Sequence, residues 1–288
     1  MEYPSLDKPI AGAFRFNTDS SQLEIYDGNQ WTGVVSDSPE LQTGGTRGIW
    51  SGGDTPTIDN VIQYINIAST GNAIDFGDLV DKKTNHSSAS SRTIVAWAGG
   101  YNGPSKTNSI STQIFSSLGN SVDTADLSAA TSTATGVSNQ TRACFIGGSD
   151  PSVRNTIEYY TFAVGANVVD FGDTTADMYT GSACGSSTRG VFNFGVTSAP
   201  ARINTMNYIT IATTGNASDF GDLTLARGGT ASISNSIRGV WAGGESPTLV
   251  NNIDYITIDT TGNAADFGDL FNIPTLPAGC SDSHGGLS

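Results

Sequence analysis

The chain has 288 residues, of which 35 are glycine and only 14% are charged. This composition favours short strands joined by tight turns, since glycine and asparagine tolerate positive φ, and it argues against long helices. The net charge of −14 argues against direct binding of nucleic acids or anionic membranes, because both would be repelled.

Residues 1–40 predict a short β arm that ends in a linker. Phe14 and Phe16 alternate with polar residues in one segment, and Tyr26 ends a second segment, which Trp31 follows closely. A two-stranded hairpin is only marginally stable by itself. The arm therefore needs a partner surface, which could be the rest of the chain, another copy of it, or a different protein.

Residues 41–288 consist of five copies of one unit of about 48 residues, a period typical of propellers and solenoids. Each copy begins with an arginine, which precedes a short apolar segment and one or two glycines. The arginines are separated by 45, 50, 47 and 49 residues, and they are Arg47, Arg92, Arg142, Arg189 and Arg238. Aromatic residues take equivalent places in the apolar segments, at Trp50, Trp97, Phe145, Phe192 and Trp241.

A second motif, Asp-Phe-Gly-Asp, recurs with the same period. Its phenylalanines are Phe76, Phe171, Phe220 and Phe267, and the second copy carries a degenerate version at residues 123–126. Because two independent motifs keep one period, the repeat is a strong signal. We expect the motif to form a tight turn that anchors a buried phenylalanine.

Each unit predicts three to four strands. Residues 253–258 are β-branched and aromatic and apolar on both faces, which is typical of a strand buried on both sides. The Gly262-Asn263 pair that follows predicts a two-residue hairpin turn. The polar segment 228–232 predicts a short strand that leads into the next arginine.

Five such sheets can bury their apolar faces only against one another. Packing around an axis achieves this and leaves short edges, so the fold predicted is a five-bladed β-propeller after the β arm. Residues 276–283 align with the segment between repeats, and we expect them to pair with the first repeat and close the ring. An open solenoid of stacked repeats is the alternative fold.

The repeat unit resembles a kelch repeat, in that paired glycines follow an apolar strand and an aromatic-rich strand comes next. The segment YITIATTGNASDFGDL, residues 208–223, resembles repeats in virion structural proteins of tailed phages that infect marine cyanobacteria. Residues 12–31 resemble a motif shared by many phage fibre and appendage proteins. The resemblance implies a role as a particle component and implies no chemistry.

No enzyme, metal site or cofactor is predicted from the residues. The Asp-Phe-Gly triplet lacks the other kinase motifs, and the paired carboxylates are too few for a calcium site. Cys144, Cys184 and Cys280 are too widely spaced to suggest a zinc site or a disulfide framework. His86 and His284 lie in polar surroundings and are expected at the surface, so no Ser-His-Asp triad is evident.

The equivalent aromatic residues could stack on sugars or form the core between blades, and equivalence in all five units favours the core. The least symmetric segments, residues 81–91 and 101–108, are the better binding candidates.

The sequence therefore predicts a structural component of a phage virion: a tail fibre, collar appendage or capsid decoration. Its partners would be other virion proteins, contacted through residues 1–40, and further copies of the chain, with a trimer favoured. The alternative is a propeller that binds a host-surface glycan or protein. The N-terminus resembles no secretory signal and no apolar run approaches the ~20 residues of a membrane span, so we expect synthesis in the host cytoplasm and no membrane insertion.

Overall fold

A computed structural model describes residues 9–17, 22–33, 47–54, 57–67, 69–149, 151–199 and 201–272. Those residues form 24 β-strands and no helix, which confirms the all-β class, so no helix among them could span a membrane. The chain divides into two compact units, Met1–Gln42 and Thr43–Ser288. The predicted linker before residue 41 and the predicted closing segment 276–283 lie outside the described residues.

The first unit is an antiparallel sheet of three strands, one more than the sequence predicted. The strands are β1 (Phe14–Asn17), β2 (Gln22–Tyr26) and β3 (Trp31–Gly33). On one face Arg15 forms an ion pair with Glu24 at 2.7 Å, and its guanidinium lies 4.4 Å from the centre of the Trp31 ring. Tyr26 is buried beside Trp31, with 5.4 Å between the ring centres.

The second unit contains five antiparallel sheets in chain order. The first sheet has three described strands: β4 (Arg47–Asp54), β5 (Ile58–Asn66) and β6 (Ile74–Asp78). The second and third sheets are formed by β7 (Ser87–Ser90), β8 (Ile94–Ala98), β9 (Ser109–Ile114), β10 (Val122–Asp126), β11 (Thr135–Ser138), β12 (Arg142–Ile146), β13 (Arg154–Thr161) and β14 (Val169–Met178).

The fourth sheet contains β15 (Ala183–Gly185), β16 (Arg189–Asn193), β17 (Thr205–Thr210) and β18 (Ser218–Asp222). The fifth contains β19 (Ala231–Ser234), β20 (Arg238–Ala242), β23 (Asn252–Thr257) and β24 (Ala265–Asp269). A two-stranded ribbon, β21 (Glu245–Ser246) and β22 (Thr248–Leu249), lies between β20 and β23. We call β7, β11, β15 and β19 the leading strands, and β6, β10, β14, β18 and β24 the last strands.

Two local predictions were wrong. The Asp-Phe-Gly-Asp motif is not a turn: it forms the last strand of its sheet. The ladder skips Phe220, since Asp219 pairs with Asn207 and Gly221 with Met206, so the phenylalanine is the extra residue of a β-bulge. Gly262-Asn263 is not a two-residue hairpin turn either, because the connection runs from the end of β23 at Thr257 to the start of β24 at Ala265.

The core consists of four apolar clusters, one between each pair of successive sheets. In the cluster between the fourth and fifth sheets, Phe220 and Leu223 pack against Trp241 and Ile256. The same arrangement places Phe76 against Trp97, and Phe171 against Phe192. Sheets of this kind are therefore buried on both faces only where both neighbours are present.

A cavity of about 450 Å³ lies beside the leading strands. It is lined by Ser88–Ser90, Gly136–Ser138, Ala183–Gly185 and Ser232–Ser234 from these strands, and by Arg47–Ile49 from the first sheet. All five sheets therefore contribute to the wall of one cavity.

Candidate assembly interface

A repeated hydrogen bond joins each sheet to the next. An asparagine lies two residues before each last strand from the second sheet onwards. Its side-chain Oδ1 accepts a bond from the backbone N–H of the final aspartate of the motif, or of its degenerate copy, in the previous sheet. The distances are 3.1 Å from Asp78 to Asn120, 3.0 Å from Asp126 to Asn167, 3.0 Å from Asp173 to Asn216 and 3.1 Å from Asp222 to Asn263. We call this contact the latch. It joins the Asp-Phe-Gly-Asp motif of one repeat, or its degenerate copy, to an asparagine of the next repeat.

Glycine is required in the latch because the two backbones approach closely. Gly172 has a φ of +142°, and a Cβ added there would lie 2.5 Å from the carbonyl oxygen of Gly215. Two backbone bonds flank this point, from Gly215 N–H to the Phe171 carbonyl at 2.7 Å and from Ala217 N–H to the Asp173 carbonyl at 2.8 Å. The motif glycine is therefore needed for close contact between two sheets, and the sequence of a single repeat does not show this role.

Three of the five repeat arginines also act between sheets, and Arg238 lies over Tyr255 of its own sheet. Arg142 donates to the carbonyls of Ile211 and Ala212 in the fourth sheet, at 3.2 and 2.8 Å, and Arg189 donates to Ile258 in the fifth, at 2.9 Å. Arg47 bonds the Phe115 carbonyl of the second sheet in the same way. Each guanidinium lies over a tyrosine of its own sheet, which holds it in place.

Arg92 does not take this position, although the sequence aligned it with the other arginines. In the second sheet the equivalent strand is β8, which begins at Ile94. Ile94 pairs with Ile114 just as Arg142 pairs with Thr161. Ile94 is thus the equivalent residue, and Arg92 lies before the strand. One sign of this is visible in the sequence, because Arg92 lies seven residues before its glycine pair, whereas Arg142 and Arg238 lie five before theirs.

A buried ion pair in the fifth sheet was missed by sequence analysis. The Arg227 and Asp254 side chains are 0% exposed, with 3.0 Å between Nη2 and Oδ2. Arg227 also donates to the carbonyls of Asn252 and Trp241, and Asp254 accepts bonds from the N–H and hydroxyl of Thr224 at 3.1 and 2.6 Å. Burial lowers the pKa of Arg227, and the Asp254 carboxylate opposes that shift.

The two ends of the series expose the two halves of the interface. Trp50 of the first sheet is 57% exposed, whereas Trp97 and Trp241 are buried. Phe267 of the fifth sheet is 54% exposed, whereas Phe76, Phe171 and Phe220 are buried. Gly268 has the φ of the other motif glycines, +140°, but a Cβ there would meet nothing within 4 Å. The predicted burial of these equivalent aromatic residues therefore fails at Trp50 and Phe267, because no described sheet covers either side chain.

His86 differs from its prediction, because it is half-buried and not at the surface. Its Nε2 lies 3.1 Å from the Ser51 hydroxyl. Burial, with Lys83 nearby, lowers the pKa of His86 to about 4, so the ring is neutral at pH 7. Its Nδ1 has no hydrogen-bond partner among the described residues, so nothing orients the ring as the third member of a triad would.

The two asymmetric segments proposed for binding lie side by side. Thr84 and Tyr101 exchange backbone bonds of 2.9 and 2.8 Å, which joins residues 81–91 to residues 101–108. Tyr101 is 38% exposed. In the part of the chain that the structure describes, no group of three His, Cys, Asp or Glu side chains is placed to bind a metal ion.

Comparison with known proteins finds no family model and no curated protein that matches the chain.

The thiols of Cys144 and Cys184 are expected to be unreactive in the folded protein. Both are buried, and burial raises the pKa of Cys144 to about 12 and that of Cys184 further. Thiolate is the reactive form. In a Cys280→Ser variant, Ellman's reagent should detect no fast-reacting thiol at pH 8 and two after denaturation. Rapid labelling of the native variant would contradict the buried positions.

Proposed function

We propose that this chain is a structural component of a tailed-phage virion and acts by protein–protein assembly, without catalysis. The supporting observation is the apolar face of the first unit. Phe14 and Phe16 are 64% and 63% exposed, and the strand register places them opposite Ile25 and Leu23 on one face. A three-stranded sheet of this size buries little apolar area by itself, and a contiguous exposed apolar face is typical of an interface.

The second unit supports a five-bladed kelch-like propeller. Its sheets meet through one interface repeated four times, and all five line one cavity. Asn72 lies two residues before β6, the position that Asn120 takes before β10, and both Gly71 and Asn72 are exposed. With the last strand of the fifth sheet they would form a fifth copy of the latch. In the proposed ring they meet, and Trp50 and Phe267 become covered. Such a body would project from the particle, held by the first unit.

The arm hypothesis is tested with the double variant Phe14→Glu/Phe16→Glu in the full chain. We expect its incorporation into virions to fall at least about tenfold, which corresponds to roughly 1.4 kcal/mol of binding free energy. Self-association of the purified chain, measured by sedimentation, should fall in parallel. Incorporation is measured by mass spectrometry of purified particles and located by electron microscopy.

Val164→Glu is the matched control, because Val164 is 69% exposed and lies in the second unit. It should leave incorporation and association unchanged. Normal incorporation of the double variant would overturn the assembly role of the arm. Host-glycan binding by the full chain that is lost in Tyr101→Ala would instead support the receptor-binding alternative, because Tyr101 is exposed where the two asymmetric segments meet.

A further inference from the structure

A buried lysine of the second sheet takes the position that Arg227 takes in the fifth. Lys83 lies eight residues after the first aspartate of the preceding motif, as Arg227 does, and both side chains are fully buried. Arg227 donates to the backbone carbonyl of Asn252, and Lys83 Nζ donates to the hydroxyl of Ser109 at 3.1 Å. Ser109 is the counterpart of Asn252, because each carbonyl accepts a bond from the first glycine of its sheet's glycine pair, at 3.1 and 3.0 Å. The two basic side chains therefore enter their sheets at the same place.

The carboxylate that pairs with Arg227 has a serine as its counterpart in the second sheet. Asp254 lies opposite Trp241, and the residue opposite Trp97 is Ser111. The two tryptophans are equivalent, since each is the fourth residue of its strand, β20 or β8. Serine therefore occupies the position at which the fifth sheet carries its counter-charge.

The Lys83 ammonium has no carboxylate beside it. In the described part of the chain, no aspartate or glutamate forms an ion pair with Lys83. Burial lowers the pKa of Lys83, and the more distant carboxylates of Asp81 and Asp123 oppose that shift. A buried charge is unfavourable unless it is paired and hydrogen-bonded. The ammonium therefore requires a negative partner that these residues do not supply.

The polar groups on this face of the second sheet can all donate hydrogen bonds. Ser109 Oγ accepts bonds from Lys83 Nζ at 3.1 Å and from Thr107 Oγ1 at 3.2 Å, so its own proton is available. Ser111 is 1% exposed, and its Oγ has no hydrogen-bond partner among the residues that the structure describes. Because Ser109 and Ser111 are two residues apart on β9, their side chains share one face of the sheet. An ammonium and two hydroxyl protons on one buried face are the donors that an anion requires.

We propose that a small monovalent anion of halide size binds between the Lys83 ammonium and the Ser111 hydroxyl. It takes the place that the Asp254 carboxylate has in the fifth sheet. Single-atom size follows from the residue types, because serine lacks only one carbon and one oxygen of the aspartate side chain. The anion neutralises the ammonium in the folded chain alone, so its binding stabilises the fold. This site goes beyond the assembly function and does not depend on it.

The experiment is urea unfolding of the full-length chain at pH 7, with sodium chloride replacing sodium gluconate at constant ionic strength. Gluconate is too large for the site, and constant ionic strength keeps general screening unchanged. We expect the unfolding equilibrium constant to fall roughly tenfold when chloride reaches about ten times its dissociation constant. The dependence on chloride should follow the binding curve of a single site.

Two variants remove the site with residues that the same position already carries in other sheets. Lys83→Met removes the ammonium, and Met178 is the equivalent residue before the fourth sheet. Ser111→Asp supplies the carboxylate that Asp254 provides in the fifth. Both variants should unfold independently of chloride. Lys82→Met is the matched control, because it removes the same charge from the adjacent, exposed lysine and should keep the full dependence.

Unfolding of the unmodified chain that does not respond to chloride would overturn the inference, because the amine would then be neutral or hydrated by water. A response that persists in Lys83→Met or in Ser111→Asp would also overturn it, since chloride would then act elsewhere. None of these measurements involves virion particles, so failure of the anion site is distinct from failure of the assembly function.

Discussion

The Asp254→Ala variant is expected to lose about 3–5 kcal/mol of unfolding free energy, because it leaves the Arg227 guanidinium buried without its counter-charge. Both side chains are fully buried at 3.0 Å from each other, so solvent cannot screen the remaining charge. The variant also removes the acceptor for the N–H and hydroxyl of Thr224. Urea unfolding at pH 7, with the slope compared between variants, measures the loss.

Two controls separate charge from packing. Asp259→Ala removes an exposed carboxylate and should change the unfolding free energy by no more than about 0.5 kcal/mol. Replacing both partners, as Arg227→Met/Asp254→Leu, should cost less than Asp254→Ala alone, since no orphaned charge remains. A loss below about 1 kcal/mol for Asp254→Ala would show that the pair is accessible to water.

The all-β class could be predicted because strand propensity is a local property of the chain. The β-branched and aromatic segment 253–258 overlaps β23 except at its last residue, and the polar segment 228–232 overlaps β19. Strand propensity and turn residues act within one repeat, so a single copy carries the signal and five copies reinforce it.

Contacts between repeats could not be predicted from the sequence. The aspartate N–H and asparagine Oδ1 of each latch lie 41 to 43 residues apart, and a constant period does not show that the two halves belong to different sheets. The buried pair of Arg227 and Asp254 likewise joins a connection to a strand 27 residues away. Only the fold brings such groups into contact, because each alone is an ordinary surface residue type.

The exposed ends follow from the same physics. A sheet with two apolar faces must be covered twice, and each interface covers one face of each neighbour. Five sheets in series form four interfaces, so one face of the first sheet and one face of the fifth stay exposed unless those sheets meet. Trp50 and Trp241 hold equivalent positions but differ in burial, because a neighbouring sheet covers Trp241 and none covers Trp50. The sequence of a single repeat cannot show this difference.

Gly172→Ala is expected to cost about 3 kcal/mol or more of unfolding free energy. A side chain at a φ near +140°, which glycine alone adopts readily, costs about 1–3 kcal/mol. The added methyl would also lie 2.5 Å from the Gly215 carbonyl oxygen, and relief of such overpacking typically costs about 1–3 kcal/mol. Thermal and urea unfolding of the full chain measure the change.

Gly268→Ala is the matched variant, and it tests the ring. Gly268 has nearly the same φ, +140° against +142°, but its added methyl meets no atom in the open series of sheets. The backbone term is thus common to both variants, and only contact with another sheet distinguishes them. In the proposed ring the Gly71-Asn72 turn occupies this space, so Gly268→Ala should be as costly as Gly172→Ala. If Gly268→Ala costs less than Gly172→Ala by about 1 kcal/mol or more, the size of the contact term, then the first and fifth sheets do not meet.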